Sequence, residues 1–112
     1  MEEFETDWSR NELNAYILLY CANANFIVTK EEKEFIKSKV GEEKYQKVHK
    51  EFDRDNDYQQ IQKIQHTVAR YNYSEHEIDH LFENIKKLFL SDGSIDTLEE
   101  NIYRGLHNLL KT

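Results

Sequence analysis

Apolar residues along this chain recur at spacings of three and four rather than two, the period of amphipathic helices. The first such stretch places Leu13, Tyr16, Ile17, Tyr20 and Ala24 on one face, and Leu18, Leu19 and Cys21 widen that face around most of the circumference. A helix that is apolar nearly all round belongs at the centre of a bundle. The second helix turns Phe35 and Ile36 inward and carries Val40 just before Gly41; the third offers Tyr45, Val48 and Phe52. The fourth offers Tyr58, Ile61, Ile64, Val68 and Tyr71, and the fifth has the clearest stripe, Ile78, Leu81, Phe82, Ile85, Leu88 and Phe89. Leu98, Ile102, Leu106 and Leu109 mark the sixth. Five pairs of capping residues predict where helices start: Ser9 with Glu12, Thr29 with Glu32, Asp57 with Gln60, Ser74 with Glu77, and Asp96 with Glu99. Proline is absent, glycine occurs only at 41, 93 and 105, and no strand pattern or linker interrupts the series.

The pattern therefore predicts an all-α fold, a compact single-domain bundle of about six helices spanning residues 1–112. Residues 1–8 are expected to be a loosely ordered N-terminal segment. Within the bundle one arrangement occurs twice. An apolar helix ends, a tight turn rich in acidic or amide residues follows, and a Thr or Asp then caps a helix with Glu three residues on. The copies are Ala24-Asn25-Phe26-Ile27-Val28-Thr29-Lys30-Glu31-Glu32-Lys33 and Ser91-Asp92-Gly93-Ser94-Ile95-Asp96-Thr97-Leu98-Glu99-Glu100. The bundle is expected to be built from two such helix–turn–helix units.

Composition narrows the function classes. At 112 residues the chain is long enough for one core. A net charge of -7 argues against nucleic acid and against anionic membrane surfaces, because phosphate binding needs clustered Lys and Arg. Lys30, Lys33, Lys37 and Lys39 are interleaved with Glu31, Glu32 and Glu34 and read as a solvated face. No apolar run approaches the roughly 20 residues that span a bilayer, so direct membrane insertion is not expected. The acidic start, Met1-Glu2-Glu3-Phe4, is unlike a signal peptide, and the single cysteine, Cys21, excludes a disulfide framework, so a cytoplasmic location is expected.

Four constellations carry candidate chemistry. His76-Glu77-Ile78-Asp79-His80 matches His-Glu-x-x-His, in which two histidines one helical turn apart bind zinc and the Glu acts as base. At about 100° per residue, His76 and His80 point away from the Leu81, Phe82 and Ile85 stripe and share the outer face with Glu83 and Lys87. Glu77 is also the third residue of a capping box on Ser74, so a solvated surface pair is the expected reading. Asp53-Arg54-Asp55-Asn56-Asp57 imitates the start of an EF-hand loop, but Tyr58 and Ile64 stand where that loop needs Gly and a bidentate Glu. A helix–helix turn capped by Asp57 is expected instead. Asp92, Asp96 and Glu99 place three carboxylates at one turn, where they serve helix capping or offer oxygen ligands to a hard cation. Seven tyrosines, Tyr16, Tyr20, Tyr45, Tyr58, Tyr71, Tyr73 and Tyr103, fit core packing, with a groove for a partner helix as the sharper alternative.

The two turn segments, from Ala22 to Glu32 and from Phe89 to Glu100, resemble the tellurite-resistance TerB-like family over roughly residues 10 to 111. The hallmark is an Ala-Asp-Gly turn followed by a hydrophobic residue and a capped acidic helix, present in both halves of a helical domain. The resemblance implies a small bacterial protein linked to tellurite or general stress resistance whose acidic turns hold a divalent metal. Carried across, the metal positions fall on Asp92, Asp96 and Glu99 in the second copy and on Asn25, Thr29 and Glu32 in the first. The first copy departs from the pattern: Asn25 stands in place of Asp, Phe26 in place of Gly, and Thr29 brings no carboxylate. A degenerate, scaffold-like member is the better match.

No nucleophile–base–orienter set is legible, and Cys21 lies on a core helix with no nearby partner in sequence. The leading expectation is a non-enzymatic, stress-associated module that binds a protein partner or, weakly, a divalent cation. A homodimer built on exposed parts of the first helix is the alternative, and a zinc hydrolase using His76, Glu77 and His80 a remote third.

Overall fold

The computed structural model describes residues 6, 8–23, 29–91 and 97–110, with the side chain of Leu98 outside that set. Six helices follow one another: α1 (Arg10–Ala22), α2 (Lys30–Val40), α3 (Glu42–Arg54), α4 (Asp57–Tyr71), α5 (Glu75–Leu90) and α6 (Thr97–Leu110). The fold is all-α, and no strand occurs among the described residues. The Cα radius of gyration, 13.0 Å, is about that of a close-packed domain of this length.

α1 touches each of the other five helices. Leu13, Ala15, Tyr16, Ile17, Leu18, Leu19, Cys21 and Ala22 are all buried, as the near-continuous apolar run requires. The α5 stripe is buried throughout, and Ile36, Tyr45, Val48, Phe52, Ile64 and Leu106 close the core from the remaining helices. Ala24 and the Leu98 side chain, also expected on core faces, lie outside the described residues.

Reciprocal caps start α1, α2 and α5 as the sequence predicts, at Ser9 with Glu12, Thr29 with Glu32 and Ser74 with Glu77. The α4 start differs by one residue. Asn56, not Asp57, is the cap: its side chain accepts from the Gln59 amide at 2.9 Å, and Gln59 returns a bond of 2.9 Å from the Asn56 amide. Asp57 thereby becomes the first helical residue, where a carboxylate favours the helix dipole. Gln60 is released to turn inward, donating to the carbonyls of Phe52 (3.3 Å) and Asp55 (3.1 Å) at the end of α3. The buried line of α4 is accordingly Gln60, Ile64 and Thr67, with Ile61, Val68 and Tyr71 on its flanks. Tyr58 and Leu109, expected in the core, sit in the terminal turns of α4 and α6 beyond its edge, 63% and 44% exposed.

The N-terminal segment is also more closely held than expected at its two described residues. Trp8 is buried, its ring 4.4 Å from that of Tyr16, and Tyr16 in turn meets Phe52 edge-on at 5.4 Å. The Trp8 carbonyl accepts from Tyr71 Oη at 2.5 Å and from Arg70 at 2.7 Å, and Arg70 also donates to the Thr6 carbonyl. The Thr6 hydroxyl lies 2.7 Å from that of Thr67. Residues 1–5 and 7 lie outside the described residues.

Beneath Trp8 runs a polar network that the apolar pattern does not reveal. Lys63 Nζ donates to Glu51 at 2.9 Å and to both Asp55 oxygens at 3.0 and 2.8 Å. Tyr16 Oη donates to Asp55 at 2.7 Å, and Trp8 Nε1 donates to Glu51 at 3.1 Å. Burial disfavours the Lys63 ammonium, but the bonds to Asp55 and Glu51 outweigh it and hold its pKa above the ordinary lysine value.

Two tests follow from this packing. Lys63→Met leaves Asp55 and Glu51 without their cation and is expected to cost about 2–3 kcal/mol in urea unfolding at pH 7. A raised lysine pKa stabilises fully below the unfolded-state value and loses that contribution as pH climbs through the folded-state value. The Lys63 contribution should therefore persist to pH 10 and fade only in more alkaline solution. Glycines give a second test, with opposite signs. Gly41 joins α2 to α3 at φ 88° and ψ 153°, a conformation essentially confined to glycine, so Gly41→Ala is expected to destabilise by about 1–3 kcal/mol. Gly105 is helical, exposed and faces open space, so Gly105→Ala should stabilise by roughly 0.5–1 kcal/mol.

Candidate functional site

Two of the residues singled out by the repeated turn, Glu32 and Glu99, lie near Cys21 at the end of the central helix. α1 finishes with Cys21 and Ala22; α2 begins after the first turn and α6 after the second. The third residue of each of these helices is a glutamate, Glu32 and Glu99, and both are buried, 1% and 3% exposed. Cys21 lies close enough to feel both charges. Burial is the main cause that pushes its thiol pKa up, and the Glu32 and Glu99 carboxylates push it in the same direction. Cys21 is thus a protonated core thiol rather than a nucleophile or metal ligand.

Capping explains part of the Glu32 geometry. Its Oε1 accepts from the Thr29 amide and from the Thr29 hydroxyl, each at 3.1 Å, while the Glu32 amide donates to Thr29 Oγ1 at 3.1 Å. Capping does not require burial, however. Glu77 plays the same part at the start of α5 with 37% of its side chain exposed. Glu12, the comparable residue of α1, is nearly enclosed and sits 2.8 Å from Lys47; that bond and the Ser9 amide hold its carboxyl below the usual range. Of the remaining turn positions, Asn25, Asp92 and Asp96 lie outside the described residues, and Thr29 serves as the α2 cap. Among the described residues no three His, Cys, Asp or Glu side chains group closely enough to hold a metal ion.

The His-Glu-x-x-His segment forms the first turns of α5. His76 and His80 are exposed. They do not point clear of the Leu81 side of the helix: with Leu81, Arg10, Asn11, Asn14, Tyr73 and Asn84 they line a cleft of about 430 Å³ between α1 and α5. Glu77 is committed elsewhere, accepting the Ser74 amide at 3.2 Å and pairing with Arg10. The Ser74 amide foremost, with Arg10, keeps its carboxyl below the ordinary range, and Arg10 is itself seated against the rings of Tyr71 and Tyr73 at 5.2 and 4.9 Å. This geometry leaves the motif without a free base and without a third His, Cys, Asp or Glu among the described residues.

The EF-hand-like run is a helix–helix turn, capped by Asn56, with Asp55 drawn inward to Tyr16 and Lys63. The tyrosines do not converge on one groove. Tyr16 and Tyr45 are buried, Tyr71 and Tyr73 are half-buried side by side with rings 6.1 Å apart, Tyr20 and Tyr103 are half-buried on other helices, and Tyr58 is exposed. The α1 face proposed for dimerisation is covered by five helices, leaving only Arg10 and Asn11 exposed and Asn14 and Tyr20 half-buried on that helix. No helix of the described residues is long and apolar enough to cross a membrane. Compared with known proteins, the chain matches no family model, no curated protein and no solved structure.

Thiol chemistry tests this placement of Cys21. The folded protein is expected to resist a disulfide-exchange reagent at pH 8 and to react at once when unfolded in guanidinium. Rapid reaction of the native protein would contradict a buried, pKa-raised thiol.

Proposed function

We propose that this chain is a TerB-like, stress-associated, non-enzymatic module that takes a divalent cation at the two turns preceding α2 and α6 and presents the result to a protein partner. The burial of Glu32 and Glu99 beside the same end of α1 is the observation that supports it. Each carboxylate gives up hydration on burial, and a divalent cation taken by both would offset that cost and tie the two helix–turn–helix units together. The repeated turn in the sequence, with Asp92 and Asp96 ahead of the second glutamate, supplies further oxygens of the type a hard cation prefers. An enzymatic reading has less to stand on, since Cys21 is protonated and Glu77 is engaged.

Titration of chelator-treated protein with calcium, magnesium and manganese by calorimetry tests this reading. Binding of at least one ion is expected, weakened by Asp92→Asn, Glu32→Gln or Glu99→Gln. Occupancy should also raise the melting temperature, because ligand that binds only the folded state stabilises it. Absence of binding by all three ions, or binding indifferent to all three substitutions, would remove the cation from the account.

A further inference from the structure

The cleft between α1 and α5 is a second place where a ligand fits, and its donors differ in kind from the buried carboxylates. His76, His80 and Asn84 follow one another at intervals of four along α5, so they form a single row on one helix face. Asn11 and Asn14 of α1 face them across the cleft, and Leu81 contributes apolar lining. Arg10, Asn11 and Asn14 put the polar side chains of the first turns of α1 on this cleft, apart from Glu12, which turns to Lys47 of α3.

We infer that His76 and His80 together bind a borderline divalent transition metal, such as nickel, copper or zinc, at the mouth of this cleft. Imidazoles one helical turn apart on a pre-formed helix reach a common ion without reordering the backbone, so chelation costs little conformational entropy. Glu83 Oε2 lies 4.0 Å from His80 Nδ1, which places a negative charge beside the imidazole and favours a bound cation. Asn14 and Asn84 add polar lining to the same cleft. Nitrogen donors select these ions over calcium and magnesium, which prefer oxygen. Glu77 takes no part, because Arg10 and the Ser74 amide occupy it. The bound ion therefore lacks the positioned base that hydrolysis needs, and the open site suits exchangeable storage or sensing rather than catalysis.

Calorimetric titration of tag-free, chelator-treated protein with nickel tests the site, with circular dichroism to confirm that each variant stays folded. One equivalent is expected to bind. His76→Ala and His80→Ala, both changes of exposed side chains, should each reduce affinity by about tenfold or more, and Glu83→Gln by up to about tenfold through loss of the outer carboxylate. Glu32→Gln and Glu99→Gln should leave nickel binding unchanged, which separates this site from the paired-turn site. No nickel binding at millimolar concentration would overturn the inference. So would binding that survives both histidine substitutions, since His49, His66 or His107 would then be the ligands.

Discussion

Enclosure of α1 is the constraint on which the remainder of the structure depends. A helix with Leu13, Ile17, Leu18, Leu19, Cys21 and Ala22 all buried leaves little surface for solvent beyond Arg10, Asn11 and parts of Asn14 and Tyr20, so other helices must cover it on most sides. Five short helices do so, and their order around α1 follows from tight connections with specific chemistry. Gly41 supplies the one backbone conformation that turns α2 directly into α3, and Asn72 ends α4 in the left-handed region. The N-terminal segment completes the cover by laying Trp8 over Tyr16.

Covering α1 this way has electrostatic consequences at both of its ends. Near its start, Glu12 pairs with Lys47 and Arg10 with Glu77, so charge is balanced locally at the surface. Midway along, the Tyr16 hydroxyl is driven strongly against ionisation by burial and by its bond to Asp55, and that bond joins α1 to the Lys63 network. At its far end α1 packs against α2 and α6, and the third residues of those helices, Glu32 and Glu99, are buried near Cys21. The repeat in sequence thus becomes a shared neighbourhood around the end of α1.

The six helices and the central position of α1 were legible because apolar spacing and capping pairs are local signals, and three cap pairs fall where the sequence places them. The α4 cap was misplaced by one residue since Asn56-Asp57 offers two good caps in succession, and only the tertiary bonds of Gln60 decide between them. Lys63 and Thr67 were not recognised as interior residues, because their partners lie in α3 and in the segment before α1, far away in sequence. Glu32 and Glu99 were identified from the repeat, but their burial depends on packing and no sequence pattern carried it. The cleft beside His76 and His80 was missed for a related reason: its opposite wall is α1. The signal available was the polar trio Arg10, Asn11 and Asn14 on an otherwise apolar helix.

If the two acidic turns form one cation site at the end of α1, manganese bound there broadens nearby amides in an NMR spectrum read residue by residue. Substoichiometric manganese should then broaden the amides around Cys21, Glu32 and Glu99 first, and Glu32→Gln with Glu99→Gln should abolish this pattern. Broadening spread over the exposed acidic residues, or centred on α3 or on His76 and His80, would show that the turns hold no such site.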